Sequence, residues 1–227
     1  MRNGQLLWLA VAFAVFCSAS CAPERIERQV LGDGGRSLAE VAMIGDLKDG
    51  PATLHLSGDG SKRGEYAHGL KHGRWVEINS NGDTLAIANY SYGRAHGLWQ
   101  EFMNGRRVYL ALYNNGVEQG PRIHWYSNGA PASLVRFKEG KEEGIAHRWE
   151  VKDTVNVGMH VTGEYVDGKP EGAWRRYYSD GVLCNENHYR NGLRDGIWTL
   201  WSRDGEVLRR IEYRFDKKVR TIVDRVK

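Results

Sequence analysis

The stretch 165–181, Y-V-D-G-K-P-E-G-A-W-R-R-Y-Y-S-D-G, is written several times over in this chain. An aromatic opens it (Tyr165), two glycines follow (Gly168, Gly172), an aromatic pair comes next (Trp174, Tyr177), and an Asp-Gly turn closes it. The phrase opens again at Tyr66, Tyr90, Tyr113, Phe137 and Tyr189, with a degenerate start at Tyr213. Steps between starts are 24, 23, 24, 28, 24 and 24 residues. A period this regular marks a repeat architecture, in which each unit buries its apolar face only against its neighbours.

Each unit holds two turn signals. The first is the Y-x-x-G-x-x-x-G segment; the second falls at Asn81-Gly82, Asn104-Gly105, Asn128-Gly129, Asp180-Gly181 and Asp204-Gly205. Asn-Gly and Asp-Gly pairs favour type I′ hairpins, whose two central residues both take positive φ. The seven or eight residues between turns suit strands and are too few for a helix. The chain is therefore expected to be all-β, an extended antiparallel β-meander of stacked hairpin repeats with about a dozen strands. In the fourth unit Asp153 stands where a turn glycine is due, and four residues are added. Val155, Val157, Met159 and Val161 still alternate there, which predicts a longer hairpin rather than a domain break.

Three copies carry the phrase most fully: Tyr90, Gly93, Gly97, Trp99, Phe102; Tyr165, Gly168, Gly172, Trp174, Tyr177; and Tyr189, Gly192, Gly196, Trp198, Trp201. This pattern resembles the MORN repeat (membrane occupation and recognition nexus) in its 24-residue bacterial variant. The resemblance covers 66–215 as six repeats plus the degenerate seventh start, with a C-terminal edge strand expected over 216–227. It implies a non-catalytic binding or scaffolding role, and it leaves the partner open because one fold hosts many functions.

Strand parity sorts the aromatics onto two faces. Five residues after the second glycine stand Ile78, Phe102, Trp125, Trp149, Tyr177 and Trp201. On the opposite face, two residues after it, stand Trp75, Trp99, Arg122, Ala146, Trp174 and Trp198. The middle of that second row loses two large aromatics together. A shallow depression over Arg122 and Ala146, flanked by Trp99 and Trp174, is thus a candidate binding surface, since aromatics and arginine are enriched at binding hot spots. The competing expectation is that the lengthened fourth hairpin covers the gap.

The first twenty residues read as a signal peptide: a short region with Arg2, an apolar run Leu6–Phe16, then Cys17-Ser18-Ala19-Ser20-Cys21. Small residues before Cys21 resemble the lipobox of bacterial lipoproteins, although Ser18 stands where Leu is usual. The resemblance implies cleavage before Cys21, acylation of its thiol and a membrane anchor; ordinary cleavage without lipid is the alternative. Ala22 in place of Asp implies sorting to the outer membrane in that family. A chain cut there keeps only Cys21 and Cys184, which is no disulfide scaffold. Cys184 reads as a small buried thiol.

Residues 21–51 lack the phrase and read as a tether with a short helical turn at Ser37–Met43, followed by a capping hairpin over 52–65. Basic and acidic residues, 32 and 28, are interleaved without a basic stripe, which argues against nucleic acid. His72 and His96 precede their second glycine, but Gln119, Glu143, Glu171 and Asp195 hold that slot elsewhere, so it is a polar turn position and not a metal ladder. No catalytic motif is present, and neither a cofactor nor a metal is expected. The expected function is a non-enzymatic, envelope-anchored module that binds or scaffolds a protein partner. Two rivals stand beside it: an antitoxin- or immunity-like protein that neutralises a partner, and a glycan-binding module with an exposed Trp row.

Overall fold

The computed structural model describes residues 27–33, 36–151 and 157–226. The signal peptide, Cys17, Cys21 and Val155 lie outside the described residues. The chain divides into two compact units, one ending at Arg94 and one beginning at Ala95.

The first unit is an up-and-down run of β1 (Glu27–Asp33), β2 (Arg36–Ile44), β3 (Leu47–His55), β4 (Ser61–Ala67), β5 (Leu70–Ile78) and β6 (Thr84–Ser91). Each strand pairs antiparallel with the next. The second unit carries β7 (Arg94–Met103, whose first residue closes the first unit), β8 (Arg106–Asn114), β9 (Val117–Trp125), β10 (Pro131–Lys138), β11 (Lys141–Glu142) and β12 (Gly144–Val151). It continues through β13 (Val157–Val166), β14 (Lys169–Tyr177), β15 (Leu183–Arg190), β16 (Leu193–Arg194), β17 (Gly196–Trp201), β18 (Val207–Arg214) and β19 (Lys217–Asp224). Here too every neighbour in sequence pairs antiparallel, and the two-residue strands β11 and β16 are the leading pieces of β12 and β17. The chain is all-β, a meander of hairpins as its period requires.

Two expectations are corrected. The stretch read as a tether with a helical turn holds β1, β2 and most of β3, so the meander starts well before the first full repeat. Ala39, Val41 and Met43 alternate inward along β2 and form the first unit's core with Ala52 and Trp75. Ala42 is buried on the other side, and it is the antiparallel pairing with β1 and β3 that makes this stretch a strand and not a helix. The fourth-unit hairpin does form, β12 against β13, with 152–156 outside the described residues.

The second correction concerns turn type. Type I′ geometry belongs to the first turn of each repeat: His68 and Gly69 have φ of 51° and 81°, Asp167 and Gly168 55° and 80°. Among the Asn-Gly and Asp-Gly turns, Asn104-Gly105 has both residues at positive φ, whereas Gly82, Gly129, Gly181 and Gly205 are positive without their predecessors. At 79–83 the Asn79 side chain accepts from the backbone N–H groups of Asn81 and Asp83 at 3.0 and 2.9 Å. That local bond supports a wider turn with a one-residue bulge, and the register shifts between Glu77 and Ile78 accordingly.

The second glycine marks a larger irregularity. Arg63 pairs with Val76 but Glu65 with His72, so the single residue Gly64 faces Gly73, Arg74 and Trp75. In the same way Gly163 faces Gly172, Ala173 and Trp174. The repeat is therefore two strands, a tight turn and a bulge of three residues against one, and the bulge re-aims the tryptophan behind it.

A groove on the second unit

Behind the bulge, the indole of Trp174 folds back across β13. A Cβ on Gly163 would overlap the ring, and the indole Nε1–H donates to the Glu164 carbonyl at 3.3 Å. The first unit repeats the arrangement: Trp75 lies over Gly64 and donates to the Glu65 carbonyl at 3.1 Å. Trp198 likewise donates to the His188 carbonyl at 3.0 Å. Each tryptophan so placed meets the repeat-opening tyrosines. In the second unit the rings run Tyr165, Trp174, Tyr189, Trp198, Tyr213 with centroids 5.0, 6.3, 5.4 and 5.2 Å apart. Aromatic pairs in edge and tilted contact add to the burial that holds neighbouring repeats together.

The two non-aromatic members of this row are accommodated by their neighbours. Ala146 is fully buried beside Val135, Phe137, Tyr165 and Trp174, with Val161 packed against the same cluster. The expected depression over Ala146 is thus filled, partly by the β13 residue Val161 and partly by Val135 and Phe137. Arg122 lays its guanidinium over Phe137 at 4.2 Å and forms ion pairs with Glu118 (3.2 Å) and Glu142 (3.6 Å).

What remains open on this face is a groove of about 830 Å³ to which Arg122, Arg148, Arg175, Arg176, Tyr165 and Trp174 contribute. The structure brings Arg122 and Trp174 of the sequence-derived trio to this groove; Trp99 is not among its lining residues. Trp99 instead donates from Nε1 to Glu101 at 3.2 Å and tilts against Tyr113. Trp174 is only 9% exposed, so it contributes floor rather than a free stacking face.

Charge in the groove is balanced internally. Arg148 reaches Glu142 at 4.0 Å and donates to the Tyr165 hydroxyl at 2.9 Å; Arg176 meets Glu150 at 3.1 Å, and Arg175 meets Glu186 at 2.7 Å. Burial raises the Tyr165 phenol above its ordinary value, and the nearby Arg148 opposes that rise. Tyr165 thus keeps its proton and accepts the hydrogen bond from Arg148.

The sequence reading missed the role of the slot before the second glycine. Its side chains accept hydrogen bonds from the positive-φ residue of the next turn: Asp49 from His68 (3.2 Å), Gln119 from Glu139 (3.0 Å), Glu143 from Asp167 (2.9 Å) and Glu171 from Asn191 (2.6 Å). Backbone bonds run parallel to them, as from Gly168 to the Glu142 carbonyl at 2.9 Å. The acidic and amide residues at that slot are the signal that could have revealed it. Among the described residues no group of three or more His, Cys, Asp or Glu converges as a metal site. Cys184 is buried, as its repeat position predicts.

Fold and site together define an open β-meander repeat protein with a polar-aromatic groove. Residues 170–191 match a protein family described as MORN repeat variant, in agreement with the phrase that recurs from Tyr66 onward. No curated protein matches the chain.

Proposed function

We propose that this is a non-enzymatic, exported repeat protein, anchored to the cell envelope by lipid on Cys21, whose second-unit groove binds an extended segment of a protein partner. One observation carries the reading: the groove joins an aromatic floor, Tyr165 and Trp174, to arginines already neutralised by Glu118, Glu142 and Glu150. Such a lining suits a polypeptide, which offers apolar side chains to the floor and carboxylates, carbonyls and amides to exchangeable ion pairs. A bare anion would meet arginines whose charge is spent.

The anchor rests on the lipobox resemblance at 18–21. Several acyl chains on one cysteine would hold the protein firmly, at roughly 0.8 kcal/mol per buried CH₂. Fractionation separates the two halves of the proposal. Cys21→Ala should leave the membrane fraction or stay unprocessed, while Arg176→Glu should remain anchored but lose its partner. Wild-type protein found soluble and unacylated would remove the anchor; an unchanged partner with Arg176→Glu would remove the groove.

A further inference from the structure

The face opposite the tryptophan floor carries a second aromatic arrangement, which shares only Trp149 with the groove and does not depend on the function proposed for it. Trp149, His160 and Tyr177 pair in register across β12, β13 and β14. The indole of Trp149 lies 5.1 Å from the His160 ring at 14°, and Tyr177 lies 6.0 Å beyond at 22°. Three nearly parallel rings thus follow one another across the strands.

His160 is held in that row by His147. Their Nδ1 and Nε2 atoms stand 3.1 Å apart, and the ring centroids 5.3 Å, with planes inclined by 17°. That centroid separation is nearly the largest that the nitrogen contact allows. The two nitrogens therefore lie on the line between ring centres and in both ring planes, so one imidazole N–H points straight at the other's lone pair. A head-on bond of this kind leaves no room for a metal between the nitrogens and serves to fix the ring.

A pocket of about 480 Å³ opens over the row, with Thr162, Tyr178, Ser179 and two glycines, Gly158 and Gly181, also lining it. Among the described residues no Asp, Glu, Lys or Arg lines it, whereas four arginines contribute to the groove. Its chemistry is aromatic rings plus hydroxyls. Arg175 beside Thr162 and Arg203 over Tyr178 are paired with Glu186 and Asp180, so among the described residues an anionic ligand meets no unpaired cation, and a purely apolar one leaves the hydroxyls unpaired. The ligand that matches both is a neutral sugar, whose ring presents C–H groups to aromatic surfaces and hydroxyls to hydroxyls.

We infer that this pocket binds a neutral carbohydrate, with the sugar ring against Trp149, His160 and Tyr177 and its hydroxyls bonded to Thr162 and Ser179. Trp149, at the irregular end of β12, borders the groove as well; Tyr177 and Ser179 belong to the pocket alone and are the residues to test.

The experiment titrates the full chain with chitohexaose, cellohexaose and maltohexaose, following tryptophan fluorescence and the NMR signals of the Trp149 indole and the His160 ring. At least one neutral oligosaccharide should bind and shift both signals, and Tyr177→Ala should weaken it about ten-fold. Ser179→Arg, an exposed change that leaves the ring row intact, should weaken it as well at an unchanged melting temperature. Failure of all three sugars to bind overturns the inference. So do shifts confined to residues outside the pocket, or binding that survives both substitutions.

Discussion

The indole of Trp174 rests on the α-carbon of Gly163, eleven residues earlier and one strand away, with no space for a side chain between them. The same relation joins Trp75 to Gly64. Gly163→Ala should therefore lift the ring from its seat, break the bond to the Glu164 carbonyl and cost about 1–3 kcal/mol. Denaturant unfolding measures this directly, and a loss below about 0.5 kcal/mol would mean that the ring has another resting place.

Gly181 sits at a φ of 87° in the turn between β14 and β15, with nothing within 4 Å of a Cβ placed there. Space is not the constraint; backbone conformation is. Gly181→Val should cost on the order of 1–3 kcal/mol through strain alone, and an unshifted melting curve would speak against the turn assigned to 178–182.

Arg122→Glu would set a third carboxylate beside Glu118 and Glu142 and uncover Phe137. The variant is expected to lose stability, by about 1–3 kcal/mol, and not to report on binding alone. Chemical unfolding of Arg122→Glu and Arg122→Met separates the causes. The methionine keeps cover on Phe137 and avoids the added charge, so it should be the milder of the two.

His160 titrates below the ordinary imidazole value, chiefly through burial and further through the charge that His147 acquires. The folded chain thus takes up this proton at lower pH than the unfolded chain. Between the two values the unfolded state binds more protons, so stability falls as pH drops through about 6.5 and levels off below the folded value. An NMR titration should place the His160 midpoint under 6.5, and His147→Asn should recover only part of the shift because burial is the larger cause. A midpoint at or above the ordinary value would contradict the packed ring row.

Period, strand alternation and turn positions were legible because each recurs in every copy, which averages out local noise. Gly64 and Gly163 were not, since Ala88, Ala111, Val135 and Asn187 hold the same place in other repeats, so that no periodic glycine announces the bulge. The substitution of Ala146 for a tryptophan looked like a vacancy along its own strand. Seen across strands, Val135 and Phe137 supply the missing volume. Strand β2 escaped notice because its apolar residues are contiguous from Val41 to Ile44, and pairing with β1 and β3, not local pattern, decides its form. The groove was legible only at Arg122 and Trp174, because its acidic partners come from several repeats.

Site-specific photo-crosslinking in cells tests the central claim most directly. A photoreactive residue at Arg176, in the groove, is compared with one at Leu193, an exposed residue of β16 outside it. The account predicts a discrete protein adduct from position 176, absent from position 193, recovered in the membrane fraction and lost or displaced when Cys21→Ala is added. The same adducts from both positions, or none from position 176, would contradict it.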